Sequence, residues 1–354
     1  MKGKHIQVKE DSELLALLRE QVSKQVDEND NFYKRIITAK LLFYGGFSIC
    51  LYSFLFLSMP SWLFVINYVA LGMVLLLFAF NFAHDFSHNA IFKKRKWNSL
   101  GFISLYTLVG AHAEAWRDRH VKSHHFAPNV KEYDTDLQIT SLIRVTPDMP
   151  HRWYHRFQTI YAPIAYATYS LYWIFIKDFK LLFEGISNNE VNGRYILSFL
   201  SQKLFYFTYL FIIPLMFVKQ DLTVILLGYL LMHLVQSIFL LFTFFMTHHV
   251  METTYPETDE NGVIQVSWLM NQIKSSNDMH PFSELANFIL GGFNNHIAHH
   301  LFPHIHHIHY PQMNRVLYAT LIKHGIKPNQ TSYIGGVFSH LQLLKKLSVK
   351  SGAH

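Results

Sequence analysis

Histidine is the residue type that stands out in this chain of 354 residues. There are 23, about one in fifteen, and sixteen of them fall in two windows, His84–His125 and His248–His309. The first window opens with His84-Asp85-Phe86-Ser87-His88, whose two histidines lie four apart and share one helical face. It closes with His120-Val121-Lys122-Ser123-His124-His125. The second window holds His248-His249 and His296-Ile297-Ala298-His299-His300. Imidazole is a borderline ligand suited to iron, zinc, copper and nickel. Eight or nine such rings exceed what one four- to six-coordinate ion can use, so the clusters point to two metal ions. Cys50 is the single cysteine. That excludes a disulfide framework, a Cys-ligated zinc site and a Cys-held iron–sulfur cluster. The ligand types leave the choice between iron and zinc open.

The elements that must carry these rings are membrane helices. Half of the residues are hydrophobic and only 16% are charged, against about 25% in soluble domains. From Leu41 to His84 there is no Asp, Glu, Lys or Arg, and Pro60 divides this stretch into Leu41–Met59 and Ser61–Ala83. Each half is close to the roughly 20 residues a crossing needs. Leu222–Thr247 is a second charge-free run, and Tyr195–Val218 is its partner, interrupted by Lys203, which is expected to snorkel to the headgroups. The links at Pro60 and at Lys219-Gln220-Asp221 are short, so the spans are expected to form two hairpins. Lys34, Arg35 and Lys40 precede the first pair, and Lys93, Lys94, Arg95 and Lys96 follow it. By the positive-inside rule both termini and the central loop are cytoplasmic. Residues 1–38 are polar, so no cleavable signal peptide is expected. The net charge of +7 flanks apolar runs, which favours a membrane surface over nucleic acid as partner.

Parity settles the ambiguous stretches. For the clusters to meet on one membrane face, an even number of crossings must separate them. Gly101–Ala111 is too short to cross. Phe157–Ile176 is long enough, but it is aromatic-rich, holds Pro163 and is flanked by Arg152, Arg156, Lys177 and Lys180. Such segments lie in the interface. The fold expected is an all-α integral membrane protein with four transmembrane helices and a cytoplasmic helical cap carrying a histidine-rich dimetal site. Its parts are a cytoplasmic segment 1–40, a first hairpin 41–83, and a region 84–194 containing the interfacial helix 157–176. A second hairpin 195–247 and a C-terminal region 248–354 complete it. Ser12–Val22 has Leu14, Leu15, Leu17, Leu18 and Val22 at helical spacing and reads as a short amphipathic helix used in core packing.

The strings HDFSH, HVKSHH and HIAHH resemble the three histidine boxes of the membrane fatty acid desaturase superfamily, in particular bacterial linoleoyl-CoA desaturase-like and front-end members. Trp116-Arg117-Asp118-Arg119, Phe126-Ala127-Pro128-Asn129, Asp134-Thr135-Asp136-Leu137 and the stretch from Gly291 to Pro311, GGFNNHIAHHLFPHIHHIHYP, support the resemblance. It implies two iron ions in a non-haem diiron centre, with O₂ as co-substrate and two electrons removing hydrogens from a fatty acyl-CoA or acyl-lipid chain. Carried over, the ligands are His84, His88, His120, His124, His125, His296, His299 and His300, with His249 from the end of the last span. His248 points about 100° away from its neighbour on a helix and is left out. Two departures stand out. The third box opens with His296 where front-end members have Gln, which bears on regioselectivity. No His-Pro-Gly-Gly haem motif is present, so a separate electron donor of ferredoxin, rubredoxin or cytochrome type is implied. The implied location is a bacterial inner membrane.

Several residues invite a second role. His304, His306, His307 and His309 follow the third box and read as supporting or surface groups. His112 and His233 read as hydrogen-bonded structural histidines, Asp134 and Asp136 as acceptors that orient ligand rings, and Asp85 as either such an acceptor or a solvated carboxylate. A diiron hydroxylase is the near rival function, because both chemistries begin by abstracting hydrogen. The LFP and HYP context favours desaturation. A metal transporter would carry its polar groups along the spans, whereas here they gather beyond one end. A cysteine introduced at Asn188, after the interfacial segment, is expected to stay unlabelled by an impermeant reagent outside the cell; external labelling would overturn the four-span arrangement.

Overall fold

Helix dominates the described residues, 4–27, 30–137 and 140–350, of this computed structural model. Four helices are long and apolar enough to cross a membrane: Asn31–Phe54, Ser61–Ser87, Gly193–Phe217 and Leu222–His248. The first begins ten residues before the charge-free run. Lys and Arg are good helix formers, so the basic stretch continues the helix, and Lys40 is buried. The chain divides into two compact units, one of residues 1–34, 118–162 and 242–354, the other of 35–117 and 163–241.

The second unit is built on the spans. Asn67 donates to the Leu51 carbonyl at 2.9 Å, and the Tyr44 and Phe78 rings stack at 6.1 Å, so the first two spans pack side by side. The helix Arg95–Leu108 has 14 residues, too few to cross, and buries Phe102, Leu105 and Tyr106. The 157–176 stretch is not one helix. It runs through a 3₁₀ turn Trp153–Phe157, helices Gln158–Ala167 and Tyr169–Tyr172, and a π turn Trp173–Lys177. Pro163 removes one amide donor inside this stretch. Thr168 separates its two short helices.

Lys203 differs from the sequence expectation. It does not snorkel: it is buried and bonds Asp178 Oδ2 at 2.7 Å, the Gly110 carbonyl at 2.7 Å and the Ile174 carbonyl at 3.1 Å. Gly110 has φ +82°, and a Cβ there would lie 2.8 Å from the Tyr206 ring, so only glycine fits this turn. Asp178 also accepts the His112 amide at 2.8 Å and the Trp173 indole at 2.9 Å. His112 Nε2 lies 3.1 Å from Glu114 Oε2. His233, in the last span, has Ser170 Oγ at 2.8 Å from Nδ1 and Tyr206 Oη at 2.7 Å from Nε2, so both ring nitrogens have partners.

In the first unit the helix Lys9–Gln25 packs Leu14, Leu18 and Val22 into a core with Ile273, Leu317 and Leu321. A parallel pair of two-residue strands, Asp278–Met279 with Gln330–Thr331, sits beside a small cluster of Met246, Val250 and Met279. Removing one partner of a buried ion pair strands the other, at a cost of about 3–5 kcal/mol. Asp178→Ala is therefore expected to lower the melting temperature in detergent sharply, and the paired Asp178→Leu/Lys203→Met variant to recover only part of the loss, because the His112 amide and the Trp173 indole still lack their acceptor.

Candidate metal centre

Two helical turns of different pitch set the second and third boxes. In an α-helix the residue five positions on lies about 140° from the first, so His120 and His125 would diverge. Residues His120–His124 instead form a π turn, closed by the His125 amide on the His120 carbonyl at 3.0 Å. The wider turn returns His125 to the side of His120, and their Nε2 atoms stand 3.2 Å apart. The third box needs no such device, because His296, His299 and His300 fall on one face of the helix His296–Leu301. Gly291 and Gly292 lead into it with positive φ. A Cβ on Gly292 would lie 2.4 Å from that of His307, so the chain can pass there only as glycine.

Within the first unit seven imidazoles converge as two groups, His124 with His248, His296 and His300, and His120 with His125 and His299. All seven are buried. In the group of four, His248 Nε2 lies 2.9 Å from His124 Nε2, 2.7 Å from His296 Nε2 and 3.2 Å from His300 Nε2. In the other group His299 Nε2 lies 3.0 Å from His125 Nε2.

Their outer nitrogens say which tautomer is present. His124 Nδ1 donates to Asp134 Oδ2 at 2.8 Å, His248 Nδ1 to the Ser275 carbonyl at 2.7 Å, and His300 Nδ1 to Gln272 Oε1 at 2.8 Å. When neutral, each of these rings carries its proton on the outside and presents a lone pair inward. One shared proton would satisfy a single contact among them; a cation at the centre satisfies all. Asp136 and Tyr310 stand outside His120 and His299 in the same way, at 3.4 and 3.2 Å. This is a donor set that fits metal ions.

Burial and the neighbouring imidazoles hold His300 well below the ordinary histidine range. Burial likewise lowers His120, against the pull of Asp136. His124 goes the other way: burial lowers it, but Asp134 and Asp136 together outweigh that. Asp136 is held below the usual carboxylate range, because His120 and Arg119 more than offset its burial.

His248 takes the place expected of His249. Adjacent helical residues diverge by about 100°, so only one of the pair can face the cluster. The loop carrying Ser275 supplies the acceptor that turns His248 inward, while Asn129 Nδ2 and Thr253 Oγ1 donate to its carbonyl at 3.0 and 2.7 Å. His249 instead donates from Nδ1 to the Tyr255 hydroxyl at 3.0 Å, and that hydroxyl donates to the Val145 carbonyl at 3.1 Å. Burial pushes His249 down to about 3. His84 and His88 lie in the second unit, buried at the end of the helix Ser61–Ser87, with ring centroids 5.2 Å apart. A π turn over Ala79–Ala83 precedes them. Of the later histidines, His306 Nδ1 accepts the Ile308 amide at 3.1 Å, and His309 packs on Tyr33 at 4.4 Å. His304 lines a cavity of about 640 Å³ that reaches His125 and His300 past Arg19, Trp268 and Phe302.

Residues 60–332, well over half of the chain, match the family described as fatty acid desaturase. The chain belongs to the fatty acid desaturase family. Among curated relatives it is 29% identical over 300 residues to an acyl-lipid (8-3)-desaturase of Physcomitrium patens, covering 82% of this chain and 62% of that protein. It is 27% identical over 294 residues to an sn-1 linoleoyl-lipid 6-desaturase of Arthrospira platensis, with 81% and 79% covered. A protein of the same description from Synechocystis is 28% identical over 290 residues, with 79% and 80% covered. This desaturase-family chain thus spans less than two thirds of the Physcomitrium relative and about four fifths of the two cyanobacterial ones. Sequence reasoning missed His248, Ser275, Gln272 and Tyr310; only the doubled histidine at the end of the last span signalled the first of them. His248→Ala is expected to lower the metal content of purified protein, whereas His249→Ala leaves it intact. Elemental analysis of the two variants decides between them.

Proposed function

We propose that this chain is an oxygen-dependent desaturase that introduces a double bond into the acyl chain of a membrane lipid, using electrons from a separate protein. The observation that carries the reading is the inward convergence of buried imidazole lone pairs in a chain of this family. His120, His124, His125, His248, His296, His299 and His300 would hold two iron ions. His84 and His88 would supply the remaining imidazoles; the three-box pattern and their shared helix face support that assignment. Bound iron would supply the redox chemistry with O₂ that amino-acid side chains lack. The overall change breaks two C–H bonds on adjacent carbons and forms a C=C bond. The two electrons and two protons released, with two electrons from the donor and two further protons, reduce O₂ to two waters.

The protein's own residues do the rest. Asp134, Ser275, Gln272 and Tyr310 fix ring tautomers and orientations from outside. Burial of all seven rings keeps bulk water from competing for the lone pairs. The relatives' names favour acyl-lipid over acyl-CoA as substrate. Positive-inside flanks support two hairpins, with both termini and the histidine-bearing cap cytoplasmic, in a bacterial inner membrane. Lys93, Lys94, Arg95 and Lys96 are all exposed and would form a docking patch for an acidic donor of ferredoxin, rubredoxin or cytochrome type.

Cells expressing the chain are expected to accumulate a new unsaturated acyl lipid, and Ala at His124, His125, His299 or His300 to abolish it while leaving membrane insertion intact. A hydroxylated product, or one stoichiometric zinc in active enzyme, would overturn the reading. With limiting donor, turnover should fall as salt rises, since exposed charges are screened over about 8 Å at physiological ionic strength. Neutralising Lys93–Lys96 should weaken that dependence without changing the product; desaturation by the purified chain with NADPH and O₂ alone would remove the separate donor.

A further inference from the structure

Asp278 is a fully buried carboxylate outside the set of ring-orienting partners described above. It sits at the start of the short strand Asp278–Met279, 18 residues before the third box. Its Oδ1 accepts the Ile297 amide at 2.9 Å, and it also accepts the His296 amide. These are two of the first amides of the helix His296–Leu301, which no residue of that helix can satisfy. The residue before the helix, Asn295, makes no side-chain cap. Asp278 therefore does from across the fold what a local cap does elsewhere.

Tyr318 holds the other oxygen, donating to Asp278 Oδ2 at 2.8 Å. Tyr318 lies on the helix Tyr310–Lys323, and two further residues of that helix aim at the same target. Asn314 Nδ2 donates to Asn295 Oδ1 at 2.8 Å, and Tyr310 Oη stands 3.2 Å from His299 Nδ1. Tyr310, Asn314 and Tyr318 are spaced four apart, so they form one stripe along the helix. The stripe touches the third-box segment just before it, at its first amides through Asp278, and at its second histidine. Backbone bonds fix Asp278 itself: its amide donates to Asn329 O at 3.1 Å, and the Met279 amide to Asn294 O at 2.8 Å.

We propose that Asp278, braced by Tyr318, is a positioning residue that sets the rotation and axial placement of the helix His296–Leu301. One helix carries His296 and His300 of one imidazole group and His299 of the other. A small rotation about its axis moves all three Nε2 atoms together, so this one carboxylate registers both groups. The inference rests on the metal-centre reading above.

The test uses full-length protein in detergent, stripped of metal and titrated with Co²⁺, alongside steady-state kinetics on the iron-loaded enzyme and a melting curve. Asp278→Ala is expected to weaken Co²⁺ binding and to lower kcat by about 10–100-fold, the usual effect of losing a partner behind metal ligands, with KM for the acyl lipid unchanged. Asp278→Asn keeps the Oδ1 acceptor and should restore most of both. Tyr318→Phe keeps the volume and should give a smaller loss of the same kind, which serves if Asp278→Ala does not fold. A variant that melts earlier but binds Co²⁺ and turns over as wild type does would overturn the positioning role. So would an Asn variant as impaired as the Ala variant. Wild-type protein that binds no metal would instead overturn the metal centre and this inference together, a result visible before any variant is made.

Discussion

Imidazole nitrogens with inward lone pairs, held about 3 Å apart in a buried space, are the constraint on which the first unit depends. Lone pairs repel, and a buried acceptor without a donor costs about 1–3 kcal/mol. Outer partners help to hold such a cluster together, and His120, His124, His248, His299 and His300 have them. The holding groups are of mixed kinds: a carboxylate, a backbone carbonyl, a glutamine oxygen and a tyrosine hydroxyl. Each also accepts or shares the outer proton, which leaves the inner nitrogen available. The same bonds thus orient the ring and choose its tautomer.

Those partners come from segments far apart in sequence, so the scaffold has to bring them together. Asn129 shows how. Its Nδ2 donates to the carbonyls of both His248 and Thr254, at 3.0 Å each, tying the end of the last span to the loop that follows it. Asn271 bonds the Pro128 carbonyl at 2.9 Å and the Ser275 hydroxyl at 3.0 Å, which steadies the loop whose carbonyl holds His248. The apolar core of Leu18, Ile273, Ile297 and Leu317 supports the same segments from the other side. Buried polar networks of this kind are favourable only when nearly complete, so each amide side chain here has a specific task.

The second unit meets a related demand in apolar surroundings. Lys203, Asp178, Gly110 and Trp173 satisfy one another, and His233 lies between Ser170 and Tyr206. Polar groups in membrane spans are costly unless paired. Here they tie the broken segment after Pro163 to the last two spans. These internal pairs let polar residues stand within apolar helices.

The four spans, the helix at Ser12–Val22 and the three boxes were legible in the sequence because each is a local pattern. Runs without charge, apolar residues at helical spacing, and histidines three, four or five apart all state where a face points. Composition also excluded thiolate metal chemistry outright. What sequence could not decide was the phase between segments. His248 and His249 are chemically identical, and which one turns inward depends on Ser275, 27 residues away. Lys203 has the sequence context of a headgroup anchor, and only the fold sets Asp178 beside it. The π turn at His120–His124 leaves no composition signal, yet it decides that His125 meets His120. Residue types and local periodicity set which groups are available for the chemistry. Tertiary hydrogen bonds set which way each one faces, because a ring's direction is fixed by its outer partner and that partner is almost never a sequence neighbour.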